Sequence, residues 1–146
     1  MSSNPPEGTQ RIIPMLVYED APKAIEFLCK AFGFEERYRL PMPDGRIGHA
    51  ELAYGGNIVM LASEYPEMGL SSPKKLPALH AQVACYVDDV DAHYERAKSA
   101  GAAVAAAPED QSYGDRSYRA VDTEGTRWIF STHLRDVTPD EVVPPE

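Results

Sequence analysis

The sequence predicts an α+β fold in which two tandem βαβββ modules form a cup-shaped mixed sheet with the helices packed outside. The first observation behind this prediction is a pattern of strand, aspartate, amphipathic helix and glycine, which occurs around Asp20 and again around Asp89. The second is that strand-like segments follow each of the two helices. Because the two aspartates lie nearly half the chain apart, the pattern indicates an internal duplication.

The first module is expected to begin with an apolar strand at 11–18 and a helix at 22–32. Pro14 cannot donate a hydrogen bond to a neighbouring strand, so this strand is expected to have either an edge position or a bulge there. Asp20 can cap the helix, and Gly33 suits its left-handed end. Three further strands are expected at 35–41, 47–54 and 57–62.

The second module repeats this order. Its first strand is expected at 79–87 and its helix at 90–100, capped by Asp88 or Asp89 and ended by Gly101. The remaining strands are expected at 102–107, 116–121 and 127–134.

These segments predict one domain at 10–134. It divides into module one at 10–66, a linker at 67–77 rich in proline and serine, and module two at 78–134. The tails at 1–9 and 135–146 are polar and contain prolines, so we expect them to be loosely ordered.

The net charge of −9 argues against nucleic acid or an anionic membrane surface as a partner, because both attract clustered lysine and arginine. The sequence has no apolar run long enough to span a membrane, and its first ten residues do not have the pattern of a signal peptide. Cys29 and Cys85 fit small buried hydrophobic residues in a reducing compartment. We therefore expect a cytoplasmic protein.

Several segments together carry a family resemblance. They are Ala24-Ile25-Glu26-Phe27 with Ala31-Phe32-Gly33-Phe34, Asp88-Asp89-Val90-Asp91-Ala92 with Ala100-Gly101-Ala102, Tyr113-Gly114-Asp115-Arg116, and Asp122-Thr123-Glu124-Gly125-Thr126-Arg127-Trp128. In this order they resemble the glyoxalase/bleomycin-resistance/extradiol-dioxygenase superfamily, also called vicinal oxygen chelate, over about residues 11–134. The resemblance implies a cup built by both modules, with a small molecule bound inside it. Many relatives are dimers.

The resemblance also implies where metal-binding relatives carry their ligands. Those positions are Ile13, Gln82 and Ile129 in this chain. Isoleucine has no ligand atom, and a single amide oxygen anchors a divalent ion weakly. We therefore expect no metal at this position and no cofactor. Glyoxalase and dioxygenase chemistry that depends on a metal is correspondingly in doubt.

Three residues are candidates for acid–base catalysis. His49 and Glu51 share one face of a strand, and Glu64 ends the next strand. The ordinary alternative is that the two carboxylates are solvated and that His49 is a satisfied strand residue, since charged side chains are mostly exposed.

A second set of residues is predicted to bind the ligand. Gln82, Tyr86, His49 and Ser131 are expected to line one cavity, with Tyr113 and Arg116 at its rim. Tyrosine offers an apolar face and one hydroxyl, which suits a planar and partly polar ligand. By strand alternation His133 can also face the cup, whereas Trp128 is expected on the side of the helices. The alternative is that most of the aromatic residues fill the core.

The first functional hypothesis is a protein that binds a small organic molecule and sequesters a drug or metabolite. The second is a lyase, an isomerase or another enzyme of the superfamily that uses His49 with Glu51 or Glu64, with or without a displaced metal. The third is a subunit whose cup is core and whose surface docks a partner protein. Because open sheets leave unpaired edges, we also expect a homodimer.

Overall fold

In the computed structural model, which describes residues 2–144, the chain forms eight strands and two α-helices. In chain order these are β1 (Met15–Tyr18), α1 (Ala21–Phe32), β2 (Glu35–Pro41), β3 (Ile47–Tyr54), β4 (Asn57–Ser63), β5 (Val83–Tyr86), α2 (Val90–Ser99), β6 (Ala103–Asp110), β7 (Asp115–Val121) and β8 (Arg127–His133). The predicted α+β class with two βαβββ modules is confirmed. No helix within the described residues is long and apolar enough to cross a membrane.

The eight strands form two separate sheets of four, one in each module. Sheet I has the order β1-β4-β3-β2 and sheet II the order β5-β8-β7-β6. In both sheets the first strand of the module runs parallel to the last, and the other neighbours are antiparallel. The identical order agrees with an internal duplication. The edge position, one of the two alternatives expected for the strand at Pro14, is also observed.

Both helices are capped as their sequences indicate. Asp20 accepts a hydrogen bond from the main-chain nitrogen of Lys23 at 3.1 Å, and Asp89 accepts one from Ala92 at 3.1 Å. α1 ends at Gly33, whose φ of 83° lies in the left-handed region that glycine adopts without steric cost.

The first strand of each module is shorter than predicted. β1 has four residues where 11–18 was expected, and β5 has four where 79–87 was expected. Beyond β1, the side-chain amide of Gln10 bonds to both main-chain groups of Ile58 in β4. These are groups that a longer β1 would need as partners, so strand length depends on the neighbouring chain as well as on apolar composition.

The core lies between the two sheets. α1 packs on sheet I, α2 packs on sheet II, and the helices pack against each other. The ring of Phe32 in α1 lies 4.8 Å from Phe130 and 5.7 Å from Trp128 in sheet II, measured between ring centroids. Trp128 is fully buried here, on the side of the helices as expected. We call the opposite, helix-free side of each sheet its open face.

Polar contacts also join the modules. Glu124, in the turn between β7 and β8, accepts hydrogen bonds from the main-chain nitrogens of Glu19 and Asp20 at 2.7 and 2.8 Å. Ser72 of the linker donates its hydroxyl to the same carboxylate. The last turn of module two therefore fixes both the start of α1 and the linker.

The C-terminal segment follows β8 back towards the loop before β7. Leu134 and Arg135 donate their main-chain N–H groups to the carbonyl of Gly114, at 2.9 and 3.2 Å. Val143 donates to the hydroxyl of Ser112 at 3.0 Å. Residues 1, 145 and 146 of the predicted loose tails lie outside the described residues, and the looseness of the remaining tail residues stays a prediction.

Candidate functional site

The open face of sheet II carries a connected polar group centred on Asp115. This carboxylate is only 5% exposed, and it accepts a hydrogen bond from the Tyr86 hydroxyl at 2.8 Å. Its other oxygen lies 2.7 Å from Nδ1 of His133, whose Nε2 lies 2.7 Å from Asp136. We call Tyr86, Asp115, His133 and Asp136 the Asp115 cluster.

Strand register brings the cluster together. Tyr86 in β5 is the neighbour of Ser131 in β8, which is the neighbour of Ser117 in β7. The tyrosine side chain therefore crosses β8 beside Ser131 to reach Asp115. The two serine Oγ atoms lie 2.7 Å apart and are buried, whereas Tyr86 is 65% exposed. An exposed aromatic ring thus lies next to buried hydroxyls and a buried carboxylate.

The charges in the cluster stabilise one another. The hydrogen bonds that His133 donates to Asp115 and Asp136 raise the pKa of His133, because both carboxylates favour the imidazolium form. The hydrogen bond to Asp115 likewise raises the pKa of Tyr86, because its hydroxyl donates to an anion. A protonated His133 can donate to both aspartates at once.

The open face of sheet I carries the predicted His49–Glu51 pair. Nε2 of His49 lies 3.1 Å from Oε2 of Glu51, and Arg37 lies 3.5 Å from the other oxygen of that carboxylate. Glu64 does not join them. Its carboxylate accepts a hydrogen bond from the main-chain nitrogen of Ser72 at 2.7 Å and pairs with Lys75 at 3.3 Å, so it holds the linker.

The six predicted ligand-binding residues are divided between several places. Tyr86 and Ser131 are neighbours on the open face of sheet II, and His49 lies on sheet I, across the helical core from them. Gln82 precedes β5 and lines a hollow of about 210 Å³ with Arg127. Tyr113 is exposed in the loop before β7. Whether any of them binds a ligand stays a prediction.

Arg116 is the sixth, and it is expected at the rim of the cavity. Its guanidinium pairs with Asp91 of α2 at 3.2 Å and with Asp110 at 2.9 Å. Asp115 and Ser117 point to the open face, so strand alternation directs Arg116 to the opposite, helix-covered side.

A larger cavity than the hollow at Gln82 lies elsewhere, where the two modules meet. It is a half-open cleft of about 400 Å³, lined among others by Phe34, Tyr54, Cys85 and Trp128. Burial raises the pKa of the Cys85 thiol to about 11, so this sulfur stays protonated and weakly nucleophilic near neutral pH. The cleft is larger than the hollow at Gln82, but the convergent polar groups lie on the open face. We therefore place the candidate site there.

The residues at the superfamily's metal positions do not fit a divalent ion. Gln82 supplies one neutral oxygen, and Ile13 and Ile129 supply none. Within residues 2–144 no three His, Cys, Asp or Glu side chains are grouped as a metal site.

Asp115 was not predicted as a site residue from the sequence, and His133 was predicted only to face the cup. The alternation of β8 correctly indicated that His133 faces away from Trp128. Asp115 stands at the first position of β7, next to a glycine, where a carboxylate is ordinarily a turn residue. Only the pairing of β7 with β8 sets it beside His133.

Comparison with known proteins identifies the family. Residues 12–130 match the Glyoxalase/Bleomycin resistance protein/Dioxygenase superfamily. The chain belongs to this superfamily. A relative from Mycobacterium bovis, the uncharacterized protein Mb0911c, is 42% identical over 132 residues, which cover 88% of this chain and 87% of the relative.

Solved structures agree with the superfamily fold. TioX from Micromonospora sp. ML1 is 32% identical with a TM-score of 0.68, and the match covers 88% of this chain and 100% of TioX. The fosfomycin resistance protein FosX from Listeria monocytogenes is 18% identical with a TM-score of 0.63, over 92% of this chain and 98% of FosX. At that identity the likeness to FosX is one of fold alone.

Proposed function

We propose that this superfamily member binds a small, planar organic molecule on the open face of sheet II. The observation that carries the proposal is the exposed ring of Tyr86 next to the buried hydroxyls of Ser117 and Ser131 and the buried carboxylate of Asp115. Binding sites for small molecules combine aromatic surface with a few fixed polar groups.

The polar groups define what such a ligand can offer. Because the Tyr86 hydroxyl donates to Asp115, its oxygen remains free to accept a hydrogen bond. In the Ser117–Ser131 pair one hydroxyl donates to the other, so one hydrogen remains for an acceptor on the ligand. A planar molecule with both a donor and an acceptor fits this arrangement.

A second copy of the chain is proposed to complete the site. The open face of sheet I exposes Met15, Tyr38 and Leu40, at 72, 47 and 45%. Such apolar surface favours association, and both sheets have unpaired edges. In the proposed homodimer, sheet I of one protomer faces sheet II of its partner and encloses the ligand.

Thermal unfolding with a library of planar metabolites and drugs tests the binding function, because a ligand of the native state raises the melting temperature. Compounds that stabilise the wild-type protein are expected to stabilise Tyr86→Ala much less. Tyr65→Ala is the matched control, since Tyr65 is an exposed tyrosine that follows β4, outside sheet II. An unchanged stabilisation in Tyr86→Ala, or no stabilising compound at all, would contradict the proposal. Light scattering at micromolar concentration tests the dimer.

The His49–Glu51 hydrogen bond favours a second candidate function, an enzyme that transfers a proton in a lyase or isomerase reaction. If Nε2 donates to Glu51, Nδ1 keeps a free lone pair and can act as a general base. Ligands found in the thermal screen can be followed for conversion by mass spectrometry. Conversion that His49→Gln abolishes supports the enzyme, and unchanged ligand after prolonged incubation argues against it.

A further inference from the structure

Two arginines on the open face of sheet II lack an acidic partner. Arg119 and Arg127 are both exposed, and neither forms an ion pair with a carboxylate of residues 2–144. The nearby Arg116 pairs with two aspartates. In a chain with 23 acidic residues against 14 basic ones, two neighbouring arginines on one face form a local patch of positive charge.

Strand register sets the two arginines close together. Arg119 is the neighbour of Ile129, and Arg127 is the neighbour of Val121, so the arginines are diagonal neighbours on one face. Such neighbours lie about 7–8 Å apart, which is within reach of one ligand group for side chains as long as arginine. Their positive charges repel each other, and a bound anion would relieve this repulsion.

The surroundings of Arg127 add hydrogen-bond donors. His80 and Gln82 line the hollow of about 210 Å³ together with Arg127. An imidazole, an amide and a guanidinium all have N–H groups that can bind an oxyanion. This end of the open face therefore offers N–H donors and positive charge, whereas the other end carries the carboxylate of Asp115.

We propose that the ligand of the open face carries an oxyanion, a carboxylate or a phosphate, which Arg119 and Arg127 bind while its planar part lies over Tyr86. This inference rests on the proposed binding function and specifies its ligand class. Guanidinium groups match the geometry of both oxyanions with paired hydrogen bonds.

The spacing of the groups sets the size of the ligand. Tyr86 and Arg119 are separated by two strand intervals and one row of side chains. With about 4.8 Å between strands, this corresponds to roughly 10–12 Å between the two main chains. A ligand with two fused rings and one anionic substituent spans that distance when the side chains of Tyr86 and Arg119 lean towards each other.

Titration calorimetry with 2-naphthoate, 2-naphthyl phosphate and the neutral 2-naphthamide tests the inference. We expect the dissociation constant of at least one anion to be lower than that of the amide by about tenfold or more. The reason is that hydrogen bonds to charged groups are stronger than those between neutral groups. Added salt should weaken the binding of the anion and leave the binding of the amide unchanged.

The double variant Arg119→Gln, Arg127→Gln should lose the preference for the anion and keep its affinity for the amide. Arg11→Gln, the same charge change at an exposed position outside the sheets, is the control and should keep the preference. Equal binding of anions and amide to the wild-type protein overturns the inference and leaves the binding function standing. If none of the three compounds binds at millimolar concentration, the inference fails, and the library screen decides the binding function separately. Melting temperatures within a few degrees of wild type verify that both variants are folded.

Discussion

The hydroxyl of Tyr18 in β1 donates a hydrogen bond to Asp122, in the turn that closes the β7–β8 hairpin. The two residues are 104 positions apart, and both are buried. Burial raises the pKa of Asp122, although its hydrogen bonds to Tyr18 and to the Trp128 indole favour the charged form. This contact links the first strand of one module to the last turn of the other.

Tyr18→Phe is predicted to destabilise the protein by about 1–3 kcal/mol, because the buried carboxylate of Asp122 loses one of its partners. Urea unfolding measures the loss. Tyr54→Phe is a suitable control, since the Tyr54 hydroxyl has no side-chain hydrogen bond within residues 2–144. Equal stabilities of the two variants would show that the contact between Tyr18 and Asp122 contributes little.

His93 is predicted to make the protein less stable in mild acid. Its Nε2 lies 2.7 Å from the carbonyl of Phe32 and its Nδ1 2.6 Å from the Tyr118 hydroxyl, so a neutral ring can donate to the carbonyl and accept from the hydroxyl. Burial lowers the pKa of His93 below its usual value. The unfolded chain therefore binds the extra proton first, and stability falls as the pH drops below about 6.5 towards the folded-state pKa.

The measurement is urea unfolding between pH 7.5 and pH 5. His93→Gln is expected to be less stable at pH 7.5 and to lose part of the pH dependence. His80→Gln, at an exposed histidine, should keep the full dependence. An identical slope in wild type and His93→Gln would contradict the prediction.

His133 is predicted to titrate above the usual histidine pKa, because Asp115 and Asp136 both stabilise its cation. A raised pKa means that its interactions are present at low pH and are lost as the pH rises through the folded-state value. NMR titration of the imidazole checks this. Asp136→Asn should move the pKa of His133 down, because one of the two carboxylates that stabilise the cation is lost. A wild-type pKa at or below about 6.5 would disprove it.

Arg116→Gln is predicted to leave ligand binding on the open face unchanged. The Arg116 side chain pairs with Asp91 and Asp110 on the side of α2, away from Tyr86. Loss of these exposed ion pairs should change the stability of the protein little, because solvent screens them. Calorimetry with the naphthyl compounds and urea unfolding provide the two measurements. An affinity as weak as that of the Arg119, Arg127 double variant would show that Arg116 does reach the ligand.

The sequence predicts most of the fold because the helix signals are local. Asp20, Gly33 and Asp89 act on main-chain groups within a few residues, so their effects can be recognised without tertiary structure. Strand ends are less predictable, because they depend on contacts with other strands. Before β1 begins, Gln10 already bonds to the groups of Ile58 in β4 that a longer β1 would need. The class and order of the elements therefore follow from the sequence, and the lengths of the edge strands do not.

The candidate site was predicted only in part, for a related reason. Tyr86 and Ser131 could be placed on one face by alternation within their own strands. Alternation along β7 gives Asp115 the parity of Ser117 on the open face and gives Arg116 the parity of the buried Tyr118. Only the pairing of β7 with β8 sets Asp115 beside His133, because a slip of one residue in this register would reverse every side chain.

The bond between Gln10 and Ile58 has a consequence for how the protein avoids misassembly. Main-chain groups along an uncovered strand can recruit a strand from another molecule and start aggregation. A glutamine side chain that occupies both groups of Ile58 blocks such growth without committing more of the chain to the sheet. Gln10 therefore blocks the addition of a strand from another molecule at this position of β4.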